Sequence, residues 1–540
     1  MKEVSKTSNI YFWLSLLVCV VYFVLFIFPN RVGSVNIKMV AVFEPDESVP
    51  LPYVLDMIEP ADTLKQSLIN FAFYDYYFYG FPYFAASALS LLPLVPLGLI
   101  NDISLVMVIL RQVISILPIL ATILLLAHIQ TGFKSYKSLV MVLLLLSVPA
   151  VVQNNFWWHP DSLVTLLSVL VIFLLNKDGL KFGPNFYLAA VTCGFTAGTK
   201  GIGFYFFLTI FVYLLLGYFS KTVTFRKLFL LGLGFLFCMG AGYLIANPIL
   251  VYRGVRNDYF TVMREQTDEL YSGYWVLYAK GFLASLPELT EYFGNILFLA
   301  LSLLACVVGI VKDKNRLLNV LIITWLIPMS VLVFWVTNFK FQYWIPVALP
   351  LFSTMVIFLP DKISLPHNVQ DLAPYKDIHV LPQLLISLAI VFQLPSFVVS
   401  DIHRYDGFLH RAEDHPALQF YDLAMDALKP LPDKGVFVYH DVRMYFPRTA
   451  KWTTEAVFMP IYYDYIQSRD FEVILVMQQR IKDYLSPEAQ GIDPETFVQS
   501  QIFYRDAKAG AVEGYHLVFQ NDFGFVFVRD DVYHEYYERK

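Results

Sequence analysis

The sequence predicts a polytopic α-helical membrane protein with a small α/β domain at its C-terminal end. Of the 540 residues, 57% are hydrophobic and only 15% are charged, and the mean hydropathy is +0.57. Such a composition is too apolar for a soluble multidomain protein. The net charge of −5 argues against nucleic acid as a partner. Beyond residue 400 the apolar bias ends, and this change indicates the second domain.

Long apolar segments predict the membrane-spanning helices, since about 20 apolar residues cross the hydrocarbon core. Eleven segments are predicted to span, together with juxtamembrane helices: 11–29, 111–129, 138–158, 162–176, 186–199, 202–219, 228–247, 291–311, 318–337, 344–359 and 380–400. A further segment, 81–100, is apolar but is interrupted by three prolines. We interpret it as a juxtamembrane or re-entrant helix.

The basic residues of the loops predict the orientation, because cytoplasmic loops carry an excess of Lys and Arg. With 81–100 not spanning, the clusters around Lys134, Lys177, Lys221 and Lys312 share the side of the N-terminus. The first outer loop (30–80), the second large outer loop (248–290) and the C-terminal domain then face outward. The sequence thus predicts a multi-pass protein of a bacterial inner membrane, or of the endoplasmic reticulum in a eukaryote, with its active site on the extracytoplasmic side.

Two domains are predicted, a transmembrane catalytic domain over 1–400 and a soluble extracytoplasmic domain over 401–540. In the second domain, short β-rich runs alternate with helical stretches such as ALQFYDLAMDAL. The predicted strands are GVFVYHD, FEVILVM, YHLVFQ and GFVFVRD.

The stretch FEPDESVPLP (43–52) places Asp46 and Glu47 side by side just after the first predicted span. Carboxylates within a bilayer cost roughly 2.5–3.5 kcal/mol each, so acids in this position usually face a polar cavity. The alternative is a helix cap, in which the acids favour the N-terminus of a helix beginning near Val49.

A second polar turn, WWHPD, contains His159 and Asp161 at the head of the span 162–176. Asp161 could equally be the N-cap of that helix. The predicted topology brings this turn to the same membrane face as Asp46. A His/carboxylate set is also compatible with a divalent cation, although no HExxH spacing is present and the sequence requires no metal.

Basic and aromatic residues in the outer turns are candidates for substrate binding. Lys200 and Lys340 lie in short turns, where a lysine either reaches toward lipid headgroups or binds a phosphate. Arg111 and Arg256 are further candidates, because a guanidinium binds phosphate through two parallel hydrogen bonds. Tyr343 belongs to the same NFKFQYW turn as Lys340. The tyrosine-rich run 70–84 fits an aromatic belt at the membrane surface, and equally a surface on which a sugar stacks.

In this order, the motifs PDESVPLPYVLDM, HPD, VTCGFTAGTKG and FKFQYWIPVALPLF resemble those of GT-C glycosyltransferases. The most similar branch is that of the protein O-mannosyltransferases and the lipid A aminoarabinose transferase, and the resemblance covers roughly residues 10–360. It implies a GT-C-like fold and transfer of a sugar from a polyprenyl- or dolichyl-phosphate donor. By the same resemblance Asp46 matches the catalytic carboxylate with Glu47 beside it, and Asp161 matches a second acidic position. Lys340 matches a basic group near the donor phosphate.

One departure from the resemblance concerns the donor phosphate. Aminoarabinose transferases carry a Lys-Pro pair before the juxtamembrane helix, whereas this chain has Tyr79-Gly80-Phe81-Pro82. Another group must then hold the phosphate.

The sequence therefore predicts an inverting glycosyltransferase in which Asp46 accepts the proton of an acceptor hydroxyl on a protein, a glycan or a lipid. A transporter or lipid flippase is the alternative, but it would place charges at mid-membrane depth within the spans. A third hypothesis is a catalytically inactive member of the family that acts as a binding protein.

Overall fold

A computed structural model describes residues 2–272, 276–277, 280–312, 315–360, 381–412, 415–446, 452–457, 460–491 and 493–538. The chain divides into two compact units. The first comprises residues 1–31, 52–264 and 280–408, and the second comprises 32–51, 265–279 and 409–540. The second unit thus combines the C-terminal region with the segment that carries Asp46 and with part of the loop 248–290.

Helices dominate the described chain. In chain order they are α1 (Lys2–Val32), α2 (Ile37–Phe43), α3 (Pro45–Ser48), α4 (Leu51–Ile58), α5 (Leu64–Ala72), α6 (Phe81–Leu91), α7 (Ile103–Leu110), α8 (Leu117–Thr131), α9 (Lys137–Leu146), α10 (Pro149–Asn154), α11 (Asp161–Asp178), α12 (Pro184–Thr199), α13 (Thr209–Phe219), α14 (Phe225–Ala246), α15 (Arg253–Ser272), α16 (Phe282–Phe293), α17 (Ile296–Val311), α18 (Arg316–Val331), α19 (Phe341–Val356), α20 (Leu381–His410), α21 (Pro416–Ala427), α22 (Tyr463–Arg469), α23 (Gln478–Leu485), α24 (Pro494–Ala509) and α25 (Asp530–Tyr536).

Within the described residues, six helical segments are long and apolar enough to cross a membrane: Ile10–Val32, Ile103–Thr131, Gly201–Phe219, Phe225–Ala246, Arg316–Val336 and Leu381–His410. A seventh would be the pair α16 and α17, which is bent by 83°. All six fall on predicted spans, and the protein is a polytopic α-helical membrane protein.

The remaining predicted spans fall on shorter helices. The segment 138–158 is divided into α9 and α10 at Ser147, whereas α12 and α19 have 16 residues each. At 1.5 Å per residue, 16 residues extend about 24 Å, less than the roughly 30 Å of a hydrocarbon core. The count of eleven spans therefore stays a prediction. The apolar segment at 81–100 forms the 11-residue α6 followed by one turn of 3-10 helix. It is too short to cross a membrane as one helix, and its juxtamembrane or re-entrant position stays a prediction.

The second unit contains a five-stranded sheet in the order β3-β2-β4-β7-β6. The strands are β1 (Val276–Leu277), β2 (Val436–Asp441), β3 (Trp452–Val457), β4 (Val473–Met477), β5 (Gln490–Gly491), β6 (Tyr515–Gln520) and β7 (Gly524–Arg529). Strand β2 is parallel to β3 and β4, and β7 is antiparallel to β4 and β6. Both faces of the sheet are buried, since alternate residues of β4 and β7 enter two separate hydrophobic cores.

The sequence predictions for this unit are largely confirmed. The four predicted strands correspond to β2, β4, β6 and β7, and ALQFYDLAMDAL forms most of α21. The edge strand β3 and the short antiparallel pair β1–β5 were not predicted. That pair joins residues of the loop 265–279 to the C-terminal part of the chain.

Candidate active site

The WWHPD turn lies at the centre of a polar cluster in the first unit. Asp161 is the first residue of α11, and its carboxylate is 2% exposed. One carboxylate oxygen lies 2.8 Å from the Lys200 Nζ, and the other is hydrogen-bonded to the His159 Nδ1. Pro160, which has no side chain able to cap, occupies the N-cap position of α11. The hypothesis that Asp161 caps this helix is therefore wrong, because both of its oxygens bind other side chains.

His159 connects Asp161 to a tyrosine that the sequence analysis did not single out. The Tyr79 hydroxyl lies 2.7 Å from the His159 Nε2, and the two rings meet edge to face. The Nδ1–H donates to the Asp161 carboxylate, and the Nε2 accepts the tyrosine hydrogen in the neutral imidazole or donates to the tyrosine oxygen in the imidazolium. The Trp157 ring stacks on the imidazole at 4.4 Å between centroids. The two hydrogen bonds and the stacked Trp157 ring thus hold the imidazole in one orientation.

Lys200 extends the cluster toward a second aromatic ring. It follows α12 in the turn GTKG, and its ammonium lies 4.6 Å from the centroid of the Tyr343 ring and 5.9 Å from that of Tyr79. Lys340, at the N-terminus of α19, lies 5.7 Å from the same Tyr343 ring. Cation–π contacts of this kind contribute about 0.5–2 kcal/mol. Two ammonium groups therefore lie near one buried tyrosine, and that of Lys200 is also paired with the Asp161 carboxylate.

Gly80 fixes the position of Tyr79 against the GTKG turn. Its N–H donates to the Thr199 carbonyl at 2.9 Å. A β-carbon added at Gly80 would lie only 1.5 Å from the Gly198 carbonyl oxygen. No side chain fits at this contact, so the Tyr79-Gly80-Phe81-Pro82 segment requires glycine to approach the turn. This motif was noted in the sequence only for its missing lysine.

The acidic segment belongs to the second unit. Asp46 is exposed and Glu47 is buried, and both lie in α3, a four-residue helix that begins with Pro45. The next helix, α4, begins at Leu51. The helix at the acids thus begins at Pro45 and not near Val49, and both acids lie in its first turn, where a carboxylate is favourably placed against the helix dipole. Glu44, which directly precedes α3, is paired with Arg411 at 2.9 Å.

The two candidate arginines have different surroundings. Arg111 is fully buried in a π-helical turn, and it donates to the Asn30 carbonyl at 3.1 Å. This contact joins Arg111 to the last turn of α1, and its binding of substrate stays a prediction. Arg256 is exposed on α15. The cluster in the first unit thus unites five of the predicted residues, which are His159, Asp161, Lys200, Lys340 and Tyr343, and adds Tyr79.

Metal binding was left open by the sequence. Across the described ranges of the chain, no group of three or more His, Cys, Asp or Glu side chains is close enough together to hold a metal ion.

Comparison with known proteins identifies the fold. No family model matches the chain, and no curated protein matches it. Among solved structures, the chain is similar to ArnT from Cupriavidus metallidurans bound to undecaprenyl phosphate. The TM-score is 0.52 at 15% sequence identity, and the match covers 95% of this chain and 97% of that chain. ArnT is a GT-C lipid A aminoarabinose transferase. The protein therefore has a GT-C fold.

Proposed function

We propose that this protein is an inverting glycosyltransferase that transfers a sugar from a polyprenyl-phosphate-linked donor to an acceptor hydroxyl. The acceptor belongs to a protein, a glycan or another lipid, and transfer takes place on the outer or luminal side of the membrane. The observation that carries this proposal is the GT-C fold, which extends over 95% of the chain and is shared with ArnT bound to undecaprenyl phosphate.

Asp46 is the proposed general base. Its carboxylate is exposed, whereas that of Asp161 is buried and already occupied by Lys200 and His159. The acceptor oxygen forms a bond to the anomeric carbon, its proton passes to Asp46, and the bond from that carbon to the phosphate oxygen breaks. The electron pair leaves with the phosphate. Attack opposite the leaving group inverts the configuration, and Glu47 is proposed to orient substrate beside the base.

Lys340 and Lys200 are the proposed ligands of the donor phosphate. A phosphate that leaves without protonation needs cations for its growing charge. The Lys-Pro pair of aminoarabinose transferases is replaced here by Tyr79-Gly80-Phe81-Pro82. Lys200 lies beside that segment, with its ammonium 5.9 Å from the centre of the Tyr79 ring. A lysine from the GTKG turn, paired with Asp161 at 2.8 Å, thus lies beside the segment that lacks one in this sequence.

The transporter hypothesis is less well supported by this arrangement. A transport pathway would place ionisable groups along the spans at mid-membrane depth. Here Arg111 is buried within the span Ile103–Thr131, where it donates to the Asn30 carbonyl. His159, Lys200 and Lys340 lie in turns or at helix ends. An enzyme that holds a lipid phosphate at one membrane face needs its charges in such positions.

The test is the substitution Asp46→Asn, which keeps the shape of the side chain but removes its basicity and its charge. Glycans and glycolipids are first compared by mass analysis in cells with and without the protein, which identifies the product. Transfer by Asp46→Asn is then expected to fall by about 10²–10⁴, the usual contribution of general base catalysis. Asp56→Asn is the matched control, because Asp56 is an exposed acid on the following helix α4.

Two results would contradict the proposal in different ways. Normal transfer by Asp46→Asn would show that Asp46 is not the base. Identical glycans and glycolipids with and without the protein, together with movement of a lipid or solute across the membrane, would favour the transporter.

A further inference from the structure

We infer that Arg411 is a positioning residue that holds the acidic segment Glu44–Glu47, and with it the carboxylate of Asp46, in the orientation used for catalysis. The inference rests on the proposed function, in which Asp46 is the base. Arg411 directly follows α20 and lies in the second unit with the segment it holds.

The guanidinium of Arg411 joins two points of the segment 32–51. Its Nη1 donates to the Glu44 Oε1 at 2.9 Å, and its Nη2 donates to the Gly33 carbonyl at 2.7 Å. The guanidinium carbon Cζ lies over the Phe43 ring, 4.6 Å from its centre. The side chains of Arg411 and Glu44 are only 11% and 16% exposed. A charge-assisted contact shielded from water to this degree orients its partners more firmly than an exposed ion pair.

Glu44 lies at the start of α3, the helix that carries Asp46. Glu44 is the N-cap residue of α3, and its carbonyl accepts from the Glu47 and Ser48 backbone N–H groups at 2.9 and 3.3 Å. A four-residue helix is far too short to be stable by itself. Its direction is therefore set by its anchors, and fixing the side chain of Glu44 fixes the start of the turn in which Asp46 lies.

Gly33 has no side chain, and the guanidinium of Arg411 occupies the place where one would lie. A β-carbon added at Gly33 would lie 2.6 Å from the Arg411 Nη2. The backbone at this position is thus packed against the guanidinium.

A second ion pair in the same unit provides an internal control. Lys38 of α2 lies 2.8 Å from Asp422 of α21, but the Asp422 side chain is 72% exposed. Exposed ion pairs typically contribute only about 0.2–1 kcal/mol. This pair joins the same two parts of the chain without contacting Glu44, so its loss should leave the orientation of α3 unchanged.

The test compares Arg411→Ala, Arg411→Lys and Asp422→Ala in the full-length protein, with Asp46→Asn as the reference. For Arg411→Ala, we expect the kcat of transfer to fall by about 10- to 100-fold, the size of effect that a misplaced catalytic group produces. The KM for the lipid-linked donor should stay within about twofold, since the contacts of Arg411 are to protein. Arg411→Lys should recover part of the kcat, because a lysine keeps the charge but not the forked geometry. Asp422→Ala should retain wild-type kcat.

Hydrogen exchange supplies a readout that does not depend on activity. Backbone amides of residues 37–49 should exchange faster in Arg411→Ala than in the wild type, whereas those of the five-stranded sheet should be unchanged. Wild-type kcat and unchanged exchange in Arg411→Ala, with Asp46→Asn inactive, would overturn the inference while leaving the proposed function intact. Faster exchange throughout the unit, with no recovery in Arg411→Lys, would also overturn it, because Arg411 would then serve stability alone. An active Asp46→Asn variant would instead overturn the base assignment on which the inference rests.

Discussion

Asp161 and Lys200 form a buried ion pair whose loss should be costly. Removing one partner of such a pair leaves a charge without compensation, at a cost of about 3–5 kcal/mol. The Asp161 side chain is 2% exposed and that of Lys200 is 10% exposed. Both groups are therefore shielded from the water that would otherwise solvate the remaining charge.

We accordingly expect Asp161→Asn to lower the thermal midpoint strongly. The double variant Asp161→Asn/Lys200→Met should recover much of the lost stability, because it buries no unpaired charge. Thermal unfolding in detergent measures both effects. If Lys200 also binds the donor phosphate, the double variant should regain stability without regaining transfer. A small effect of Asp161→Asn alone would contradict the structural importance of the pair.

Lys340 should contribute to donor binding. Losing a hydrogen bond to a charged group costs about 1.5–3 kcal/mol, so Lys340→Ala should raise the KM for the donor by about 10- to 150-fold. The acceptor KM should change little. Steady-state kinetics with each substrate varied in turn measures the two effects, and Lys181→Ala is the control, because Lys181 is an exposed lysine of another turn. An unchanged donor KM would direct attention to Lys200.

The residues of the cluster that could be predicted from the sequence differ in chemistry and in sequence context from the one that could not. His159, Asp161, Lys200 and Lys340 are polar residues in short turns between apolar segments, and such residues are conspicuous. Tyr79 lies in a run of aromatic residues, NFAFYDYYFYGFPYF, in which no single tyrosine is distinguished by its neighbours in sequence. Only the fold shows which one meets the histidine. The neighbouring Gly80 was the available signal, because a glycine permits close approach of another backbone.

At the scale of elements, the contact between the start of α6 and the GTKG turn positions the cluster. Gly80→Ala would place a methyl group where the Gly198 carbonyl oxygen now lies, at a distance of 1.5 Å. Backbone would have to move, and Tyr79 with it. We expect a lower thermal midpoint and a loss of transfer of at least about tenfold, since displacement of about 1 Å can cost 10²-fold.

Gly240→Ala is the control for this prediction, because an added β-carbon there meets nothing within 4 Å. Alanine favours a helix over glycine by about 1 kcal/mol, so this variant should be neutral or slightly stabilised. Wild-type stability and transfer in Gly80→Ala would mean that the two backbones are not in contact.

The strands were predictable from the sequence where apolar β-branched and aromatic residues were concentrated. Strands β2, β4 and β7 are rich in Val, Ile and Phe, and each is buried on both faces. The edge strand β3 reads WTTEAV, with three consecutive polar residues, because an edge strand needs less apolar surface than a central one. Its pairing with β2 depends on the fold and not on a local signal.

For the whole molecule, composition was sufficient to predict a polytopic helical membrane protein, and the ordered motifs were sufficient to predict the GT-C fold. Hydropathy did not anticipate that the segment 32–51 belongs to the same compact unit as residues 409–540. That association depends on specific contacts, such as the Arg411–Glu44 ion pair, between residues far apart in sequence.

Orientation in the membrane is the prediction that decides whether the proposed chemistry takes place outside the cell or in a lumen. It depends on the Lys and Arg clusters, which place the loop of Lys134 inside and the sheet-containing region outside.

Single cysteines at Lys134 and Lys434, both exposed, can be introduced into a Cys238→Ser background, since the other native cysteines are buried. In intact cells or right-side-out vesicles, an impermeant thiol reagent should label the cysteine at Lys434 and not the one at Lys134. Both should react after the membrane is permeabilised, which controls for accessibility. Labelling of the Lys134 position in sealed vesicles would reverse the predicted orientation and place the acidic segment on the cytoplasmic side, where a donor presented at the outer face could not reach it.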